Sequence, residues 1–127
     1  MNRILMAMLL FPLVASATDG FQTPSGNIHC ALLNDRLRCG IFARSYTAPA
    51  RPPSCDQDRG GSMRVTPKTA EVIRMRDTVF NPGHPVLAYG TAWQGGGITC
   101  ISAATWLRLR HAAGQGLQIS RARLSFY

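Results

Sequence analysis

Two short runs of alternating residues flank Asn34 and Asp35, and they constrain the fold more than any other feature of the chain. Apolar residues recur at every second position in both runs. Because Asn and Asp tolerate positive φ, a two-residue turn at Asn34-Asp35 predicts a β-hairpin over residues 28–41. In that register Cys30 lies opposite Cys39, and the face that the two cysteines share is apolar throughout.

The position of this pair within the hairpin decides whether the two cysteines can be bridged. Leu33 and Arg36 close the turn as a hydrogen-bonded pair, and the two classes of pair alternate outward from them. Cys30 and Cys39 therefore form a non-hydrogen-bonded pair, in which the Cα atoms are about 4.5 Å apart. Such a distance is compatible with a disulfide across neighbouring strands.

The N-terminus indicates that the cysteines enter an oxidising compartment. Arg3 supplies a basic start, an apolar run follows over 4–14, and the small residues of Ala15-Ser16-Ala17 end it. This order is typical of a cleavable secretory signal peptide, whereas a membrane span needs about 20 apolar residues. We predict a signal peptide over 1–17 and a single exported β-rich domain over 18–127, periplasmic or secreted. The mature chain contains no stretch that is long and apolar enough to be a transmembrane segment.

Four cysteines in an oxidising compartment predict two disulfides. With Cys30 paired to Cys39, elimination pairs Cys55 with Cys100. The chain-entropy model assigns about 2.7 kcal/mol to the short loop and about 4 kcal/mol to the long one. The cysteines form no C-x-x-C pair, and the histidines show no ligand spacing around them, so we predict neither a metal site nor a cofactor.

Gly and Pro divide the rest of the chain into short segments, which is typical of a small antiparallel β fold. The predicted strands are 63–66, 70–79, 86–93, 98–102 and 117–127. Segment 102–114 is ambiguous, because Ser102 and Gly114 could cap a short helix over 102–113, while alternating residues over the same range fit a strand. We expect a mainly β, disulfide-bonded antiparallel domain, either a sandwich or barrel-like, with that short helix as an alternative.

A set of short motifs runs through nearly the whole mature chain. They are Phe21 to Ile28 with Cys30, Arg38-Cys39, Pro53 with Cys55, Asp77-Thr78, Tyr89-Gly90-Thr91, Cys100, Gly114-x-Gly116 and Ser120-Arg121. In this order they resemble a family of small secreted bacterial proteins, a domain of unknown function. The resemblance implies no activity, and it favours strand or loop over helix in 102–114.

The resemblance also bears on the cysteines. Members of that family often carry two further cysteines, near the positions of Met75 and Leu109 here. If those two are partners of each other, their joint loss agrees with a Cys55–Cys100 bridge. If they pair instead with Cys55 and Cys100, this chain holds two free thiols unless Cys55 and Cys100 pair with each other. Gln115 stands where the family tends to have a histidine, so any role of that histidine has no counterpart here.

The chain is strongly basic, with 14 Lys and Arg against 6 Asp and Glu and a net charge of +8. Nearly all of this charge is arginine, which binds phosphate and carboxylate through paired hydrogen bonds. An exported protein of this kind could meet nucleic acid, anionic lipid or acidic envelope polymers. Our candidate anion-binding residues are Arg74, Arg76, Arg108, Arg110, Arg121 and Arg123. Their spread along the chain favours a solvated surface over a binding site.

No pattern of catalytic residues accompanies the serines and the three histidines. The chain lacks G-x-S-x-G and H-E-x-x-H motifs, and Glu71 is its only glutamate. We interpret His29 as a hairpin residue on the face opposite the cysteines, His84 as a turn residue and His111 as a surface residue. We therefore predict no catalytic residues. The expected function is a non-enzymatic exported binding or structural module. The alternative is an arginine-rich binder of an anionic ligand, which would be an anionic cell-envelope component such as an envelope polymer or a lipid headgroup, or nucleic acid.

Overall fold

The computed structural model describes residues 14–16, 19–46, 61–73 and 79–127. In these residues the chain forms strands and no helix, and hence no helix that could cross a membrane. The strands are β1 (Val14–Ser16), β2 (Gly20–Gln22), β3 (Ile28–Leu33), β4 (Arg36–Ile41), β5 (Ser62–Val65), β6 (Ala70–Val72), β7 (Ala92–Gly95), β8 (Ile98–Ser102), β9 (Leu107–His111), β10 (Gly116–Ile119) and β11 (Leu124–Phe126). The prediction of a mainly β fold is confirmed.

The strands form two sheets that pack against each other through their apolar faces. β2 to β6 make a five-stranded antiparallel sheet in sequence order, and the second sheet has the order β1-β7-β8-β9-β10-β11. All pairs in the second sheet are antiparallel except β1 with β7. The rings of Phe21 and Trp93, with centroids 5.4 Å apart, join the two sheets.

Alternation along each strand supplies this core. The buried cluster contains Phe21, Ile28, Cys30, Leu37, Cys39, Ile41, Met63, Val65, Leu87, Trp93, Ile98, Cys100, Leu107, Leu109, Leu117 and Ile119. In β9, for example, Leu107 and Leu109 are fully buried while Arg110 is exposed. A period of two is what a strand requires when only one of its faces is covered by a second layer.

The first hairpin has the predicted register. Asn34 adopts a φ of 59° in the turn, and Cys30 lies opposite Cys39. The two cysteines form a disulfide, with their Cα atoms 4.1 Å apart. The turn chemistry, the alternation and the position of the cysteines thus all specify the same pairing.

The structure describes only one of the two cysteines of the second predicted disulfide. Cys100 has a free thiol that is fully buried in β8, and Cys55 lies outside the described residues. Burial raises the pKa of the Cys100 thiol well above its usual value, so the sulfur stays protonated and apolar in character. Cys100 therefore corresponds to the alternative in which a free thiol remains.

Segment 102–114 contains a strand and not a helix. Ser102 ends β8, a tight turn closed by a hydrogen bond from Ala103 N to Trp106 O follows, and β9 pairs with β8. The helix alternative is wrong because Leu107 and Leu109 must both enter the core from one side of a strand. Helical spacing would place only one residue in three or four on that side.

Two strands that the sequence predicts as continuous are interrupted. The chain over 117–127 folds back as β10 and β11, with Arg123 N donating to Ser120 Oγ at 3.1 Å in the turn between them. Segment 86–93 contributes one bridge, between Val86 and Gln22, turns at Gly90, whose φ is 82°, and then enters β7 at Ala92. Predicted strand 70–79 ends as β6 at Val72, and residues 74–78 lie outside the described part.

β1 falls inside the predicted signal peptide. Its three residues pair in parallel with Ala92, Trp93 and Gln94 at the edge of the second sheet. Removal of residues 1–17 would therefore take away an edge strand and leave β7 at the edge of a five-stranded sheet. Cleavage after residue 17 therefore stays a prediction.

Candidate functional site

A cavity of about 490 Å³ opens where loops from both sheets meet. Four segments that are distant in the sequence line it: the β2–β3 loop, the loop that precedes β7, the β8–β9 turn and the β10–β11 turn. Its lining consists of Thr23, Ser25, Asn27, Ile28, Tyr89, Ala103, Ala104, Thr105, Trp106, Ile119, Ser120, Arg121 and Ala122. Buried Ile28 and Ile119 connect the cavity to the hydrophobic core.

The β2–β3 loop is held rigid by its own polar side chains. Ile28 N donates to Thr23 Oγ1 at 3.2 Å, and Asn27 N donates to Ser25 Oγ at 3.2 Å. The Asn27 amide group exchanges two hydrogen bonds with the backbone of Ala43, at 2.7 and 3.0 Å. These side chains therefore shape the wall of the cavity, and most of their hydrogen-bonding capacity is already used.

Three polar groups of the lining are free to meet a ligand. The side chains of Tyr89, Thr105 and Arg121 make no hydrogen bond or ion pair with the residues that the structure describes. Tyr89 is 49% exposed, and Arg121 is also exposed. The backbone of Arg121 is fixed, because Ser45 N donates to its carbonyl oxygen at 2.6 Å. The cavity is thus lined by the guanidinium of Arg121, the phenol of Tyr89 and the hydroxyl of Thr105, together with apolar side chains.

Trp106 adds an aromatic surface to the same cavity. Its ring is half-buried, and the guanidinium carbon of Arg108 lies 4.7 Å from the ring centroid. This is cation–π geometry, which favours a fixed ring orientation. Among the described residues, the lining includes neither a histidine nor a carboxylate. Its chemistry fits the binding of a ligand that has an anionic group and an apolar or ring-shaped body.

The six candidate arginines have different environments. Arg74 and Arg76 lie outside the described residues. Arg108 donates from Nε and Nη2 to Gln118 Oε1 at 3.1 and 3.0 Å. Arg110 donates to Gly114 O at 3.2 Å and lies over the Tyr127 ring. Both of these guanidinium groups are thus engaged within the second sheet.

The remaining two arginines flank the β10–β11 turn. Arg121 lines the cavity and Arg123 does not, although both side chains are exposed. Of the four candidates that the structure describes, Arg121 is therefore the one that reaches the cavity. Arg123 carries the same charge two residues away, which makes it a natural control.

Sequence reasoning did not identify Tyr89, Thr105 or Trp106 as site residues. The signal was present in the motifs, because Phe21 to Ile28, Tyr89-Gly90-Thr91 and Ser120-Arg121 each contribute residues to the same cavity. Each motif alone is a plain turn pattern. Their common location becomes visible only when the two sheets are assembled.

A pair of histidines lies outside this cavity. His29 is only 4% exposed, although the alternation of the hairpin predicts that it lies on the outer face. Its Nδ1 lies 3.2 Å from Nδ1 of His84 and accepts a hydrogen bond from Asn81 N at 3.3 Å. The Phe80 ring packs edge-on against it. The loop that precedes β7 thus covers His29, which the alternation of the hairpin alone does not show.

Burial disfavours the charged form of both histidines. The pKa of His29 is lowered by desolvation and by the nearby His84, and a hydrogen bond to the Gly26 backbone acts in the opposite direction. Desolvation also lowers the pKa of His84. We therefore expect His29 to be neutral, with an unprotonated Nδ1 that accepts the hydrogen bond from Asn81 N and lies within hydrogen-bond distance of His84 Nδ1. Among the described residues, no three potential metal-ligating side chains lie together.

Comparison with known proteins places the chain in a family. Searches against curated proteins and against solved structures find no match. A family model matches residues 36–127, which is most of the chain and includes both turns of the second sheet that line the cavity. The chain therefore belongs to DUF6636, a family of unknown function.

Proposed function

We propose that this protein is a non-enzymatic binding module that works outside the cytoplasm, and that the cavity around Arg121 takes an anionic component of the cell envelope. The observation that carries the proposal is the free guanidinium of Arg121, which stands with Tyr89 and Thr105 above an apolar floor. In a ligand complex, a guanidinium next to an apolar surface binds a carboxylate, sulfate or phosphate in a charge-assisted manner.

Export is supported by two independent features. The first is the order of basic, apolar and small residues over 1–17. The second is the Cys30–Cys39 disulfide, a bond that persists in oxidising compartments. The rigid loop at Thr23 to Ile28 supports a binding role, because a preformed wall loses little entropy when a ligand is bound.

The chemistry of the lining also supports a binding role over catalysis. A general acid or base must lie within hydrogen-bond reach of the reacting group. The close pair of titratable groups at His29 and His84 lies outside the lining of the cavity. Arg121 can hold a charged group in place through charge-assisted hydrogen bonds.

Heparin chromatography of matched variants tests the proposal. Arg121→Gln and Arg123→Gln each remove one positive charge from the same turn, so that they differ in position and not in net charge. We expect Arg121→Gln to elute at clearly lower salt than Arg123→Gln, because it loses a contact in the cavity. Equal elution of the two variants would show that retention reflects net charge alone, and it would contradict the proposed site.

A further inference from the structure

Two arginines face each other directly on the outer surface of the first sheet. Arg38 of β4 is the register partner of Arg64 of β5. The hydrogen bond from Ile41 N to Gly61 O, 2.9 Å long, sets the alternation of pair classes along these strands. Three positions further along, Arg38 and Arg64 form a non-hydrogen-bonded pair, the class with Cα atoms about 4.5 Å apart. Like charges that are directly opposite destabilise a sheet.

Carboxylates only partly offset this charge. Arg64 Nη2 lies 3.0 Å from Glu71 Oε2, and the same oxygen accepts a hydrogen bond from Thr69 Oγ1 at 2.7 Å. These contacts lower the pKa of Glu71, Thr69 first and Arg64 second. Arg36 shares the outer face with Arg38, two positions along β4. Neither Arg36 nor Arg38 has a carboxylate partner among the described residues.

The arginines line a cavity that is separate from the one around Arg121. It has a volume of about 340 Å³. Its lining consists of Leu33, Asn34, Asp35, Arg36, Arg38 and Arg64. The lining carries three guanidinium groups and one carboxylate, that of Asp35, so its net charge is positive.

Arg64 adds a second, independent observation. Its Nε atom is buried and has no hydrogen-bond partner among the described residues. Leaving a buried charged donor without a partner is unfavourable, and a ligand oxygen that accepts from it removes that cost. An uncompensated charge and an unpartnered donor therefore occur at the same place.

We propose that this cavity binds a tetrahedral oxyanion, a phosphate or sulfate group, through Arg36, Arg38 and Arg64. Several oxygens on one small group can accept from neighbouring guanidinium groups at once, whereas a single carboxylate offers only two. The negative charge of the bound group offsets the repulsion between Arg38 and Arg64. One of its oxygens accepts a hydrogen bond from the unpartnered Nε–H of Arg64. This site shares no residue with the cavity of the proposed function, and either site can exist without the other.

Phosphate titration of the Arg Nε–Hε resonances tests the proposal. Ionic strength is kept constant with sodium chloride, so that general screening does not change during the titration. We expect a saturable shift of the Arg64 signal in the wild-type protein. Arg38→Gln should weaken phosphate binding by roughly tenfold or more, while Arg121→Gln and Arg123→Gln should leave it unchanged.

A second experiment separates free phosphate from a lipid headgroup as the source of the oxyanion. The protein is sedimented with vesicles of phosphatidylcholine, with and without phosphatidylglycerol. Saturable binding of free phosphate, or sedimentation that needs phosphatidylglycerol and is lost in Arg38→Gln, supports the site. The proposal is overturned if the Arg64 signal does not saturate and sedimentation is the same for Arg38→Gln and Arg123→Gln.

Discussion

Cys100 and Leu109 lie directly opposite each other in β8 and β9, and both are fully buried. The hydrogen bond from Ala112 N to Gly97 O, 2.9 Å long, sets the alternation along this hairpin. By that alternation Cys100 and Leu109 form a non-hydrogen-bonded pair, as the disulfide-bonded cysteines do in the first sheet. The second sheet thus contains a place for a cross-strand disulfide of which only one half is a cysteine.

Leu109→Cys should complete that bridge. The two positions have the same sequence separation as the existing disulfide pair, nine residues. The chain-entropy model therefore predicts that the new bridge raises the free energy of unfolding by about 2.7 kcal/mol. Urea unfolding of the oxidised and reduced forms measures this difference once the same difference for the wild-type protein is subtracted, because reduction also opens Cys30–Cys39 in both proteins. Failure of the introduced cysteine to oxidise with Cys100 would mean that the β8–β9 register is not the one described.

The Cys100 thiol should be protected in the native protein and free in the unfolded one. Its burial and raised pKa keep the reactive thiolate away from solvent. We expect iodoacetamide to modify the Cys100 peptide only after denaturant is added, without any reductant, as read by mass spectrometry. A Cys55–Cys100 linked peptide from the non-reduced protein would contradict the free thiol.

Stability should fall as the pH is lowered through the range in which unfolded histidine titrates. The pKa values of His29 and His84 are both lowered from 6.5 in the folded protein. The unfolded chain therefore binds more protons, and the free energy of unfolding decreases below about pH 6.5 until the folded-state pKa values are passed. A protonated His29 also carries a proton on Nδ1, which then points at the N–H of Asn81 and at His84. The hydrogen bond from Asn81 N to His29 Nδ1 is lost in that state. Urea unfolding at about pH 7 and about pH 5 measures this decrease.

His29→Gln provides the matched comparison for this pH effect. The variant lacks the group that must bind a proton, so its decrease between the two pH values should be smaller than that of the wild type. The slope is the informative quantity, because the variant can be less stable at every pH. Equal slopes for the two proteins would assign the pH dependence to other groups.

Export can be tested through the N-terminus of the mature protein. We expect the exported chain to begin at Thr18 and to lack β1, which contributes three residues at the edge of the second sheet. Intact-mass measurement of the protein recovered from the periplasm or medium gives the answer. Recovery of the chain with residues 1–17 attached would show that β1 is a permanent part of the sheet.

The sequence predicts the first hairpin well because all of its determinants are local. Asn34 supplies the positive φ, and the apolar alternation on both sides allows a single register. The reversal in 117–127 was missed because Ser120 closes it with its side chain, without Gly or Pro in the turn. Elimination pairs Cys100 with Cys55 because it assumes that every cysteine in an oxidising compartment has a partner, whereas the Cys100 thiol is free in the structure.

The cavities could not be predicted from the sequence for a different reason. Arg38 and Arg64 become neighbours only through the pairing of β4 with β5, whose register no local pattern specifies. Tyr89 and Arg121 reach one cavity from loops that are separated by two hairpins of the second sheet. Alternation shows that such residues face outward, but it does not show which other residues they meet.

Mapping a bound ligand by NMR tests the central claim most directly. A short heparin oligosaccharide is titrated into the isotope-labelled mature protein, and the amide shifts are followed. We predict that the amide shifts change around the cavity, in 23–28, 89–91, 103–106 and 119–122, and that the changes in these segments are much smaller in Arg121→Gln. Shifts that leave these segments unaffected in the wild-type protein would contradict the assignment of this cavity as the binding site.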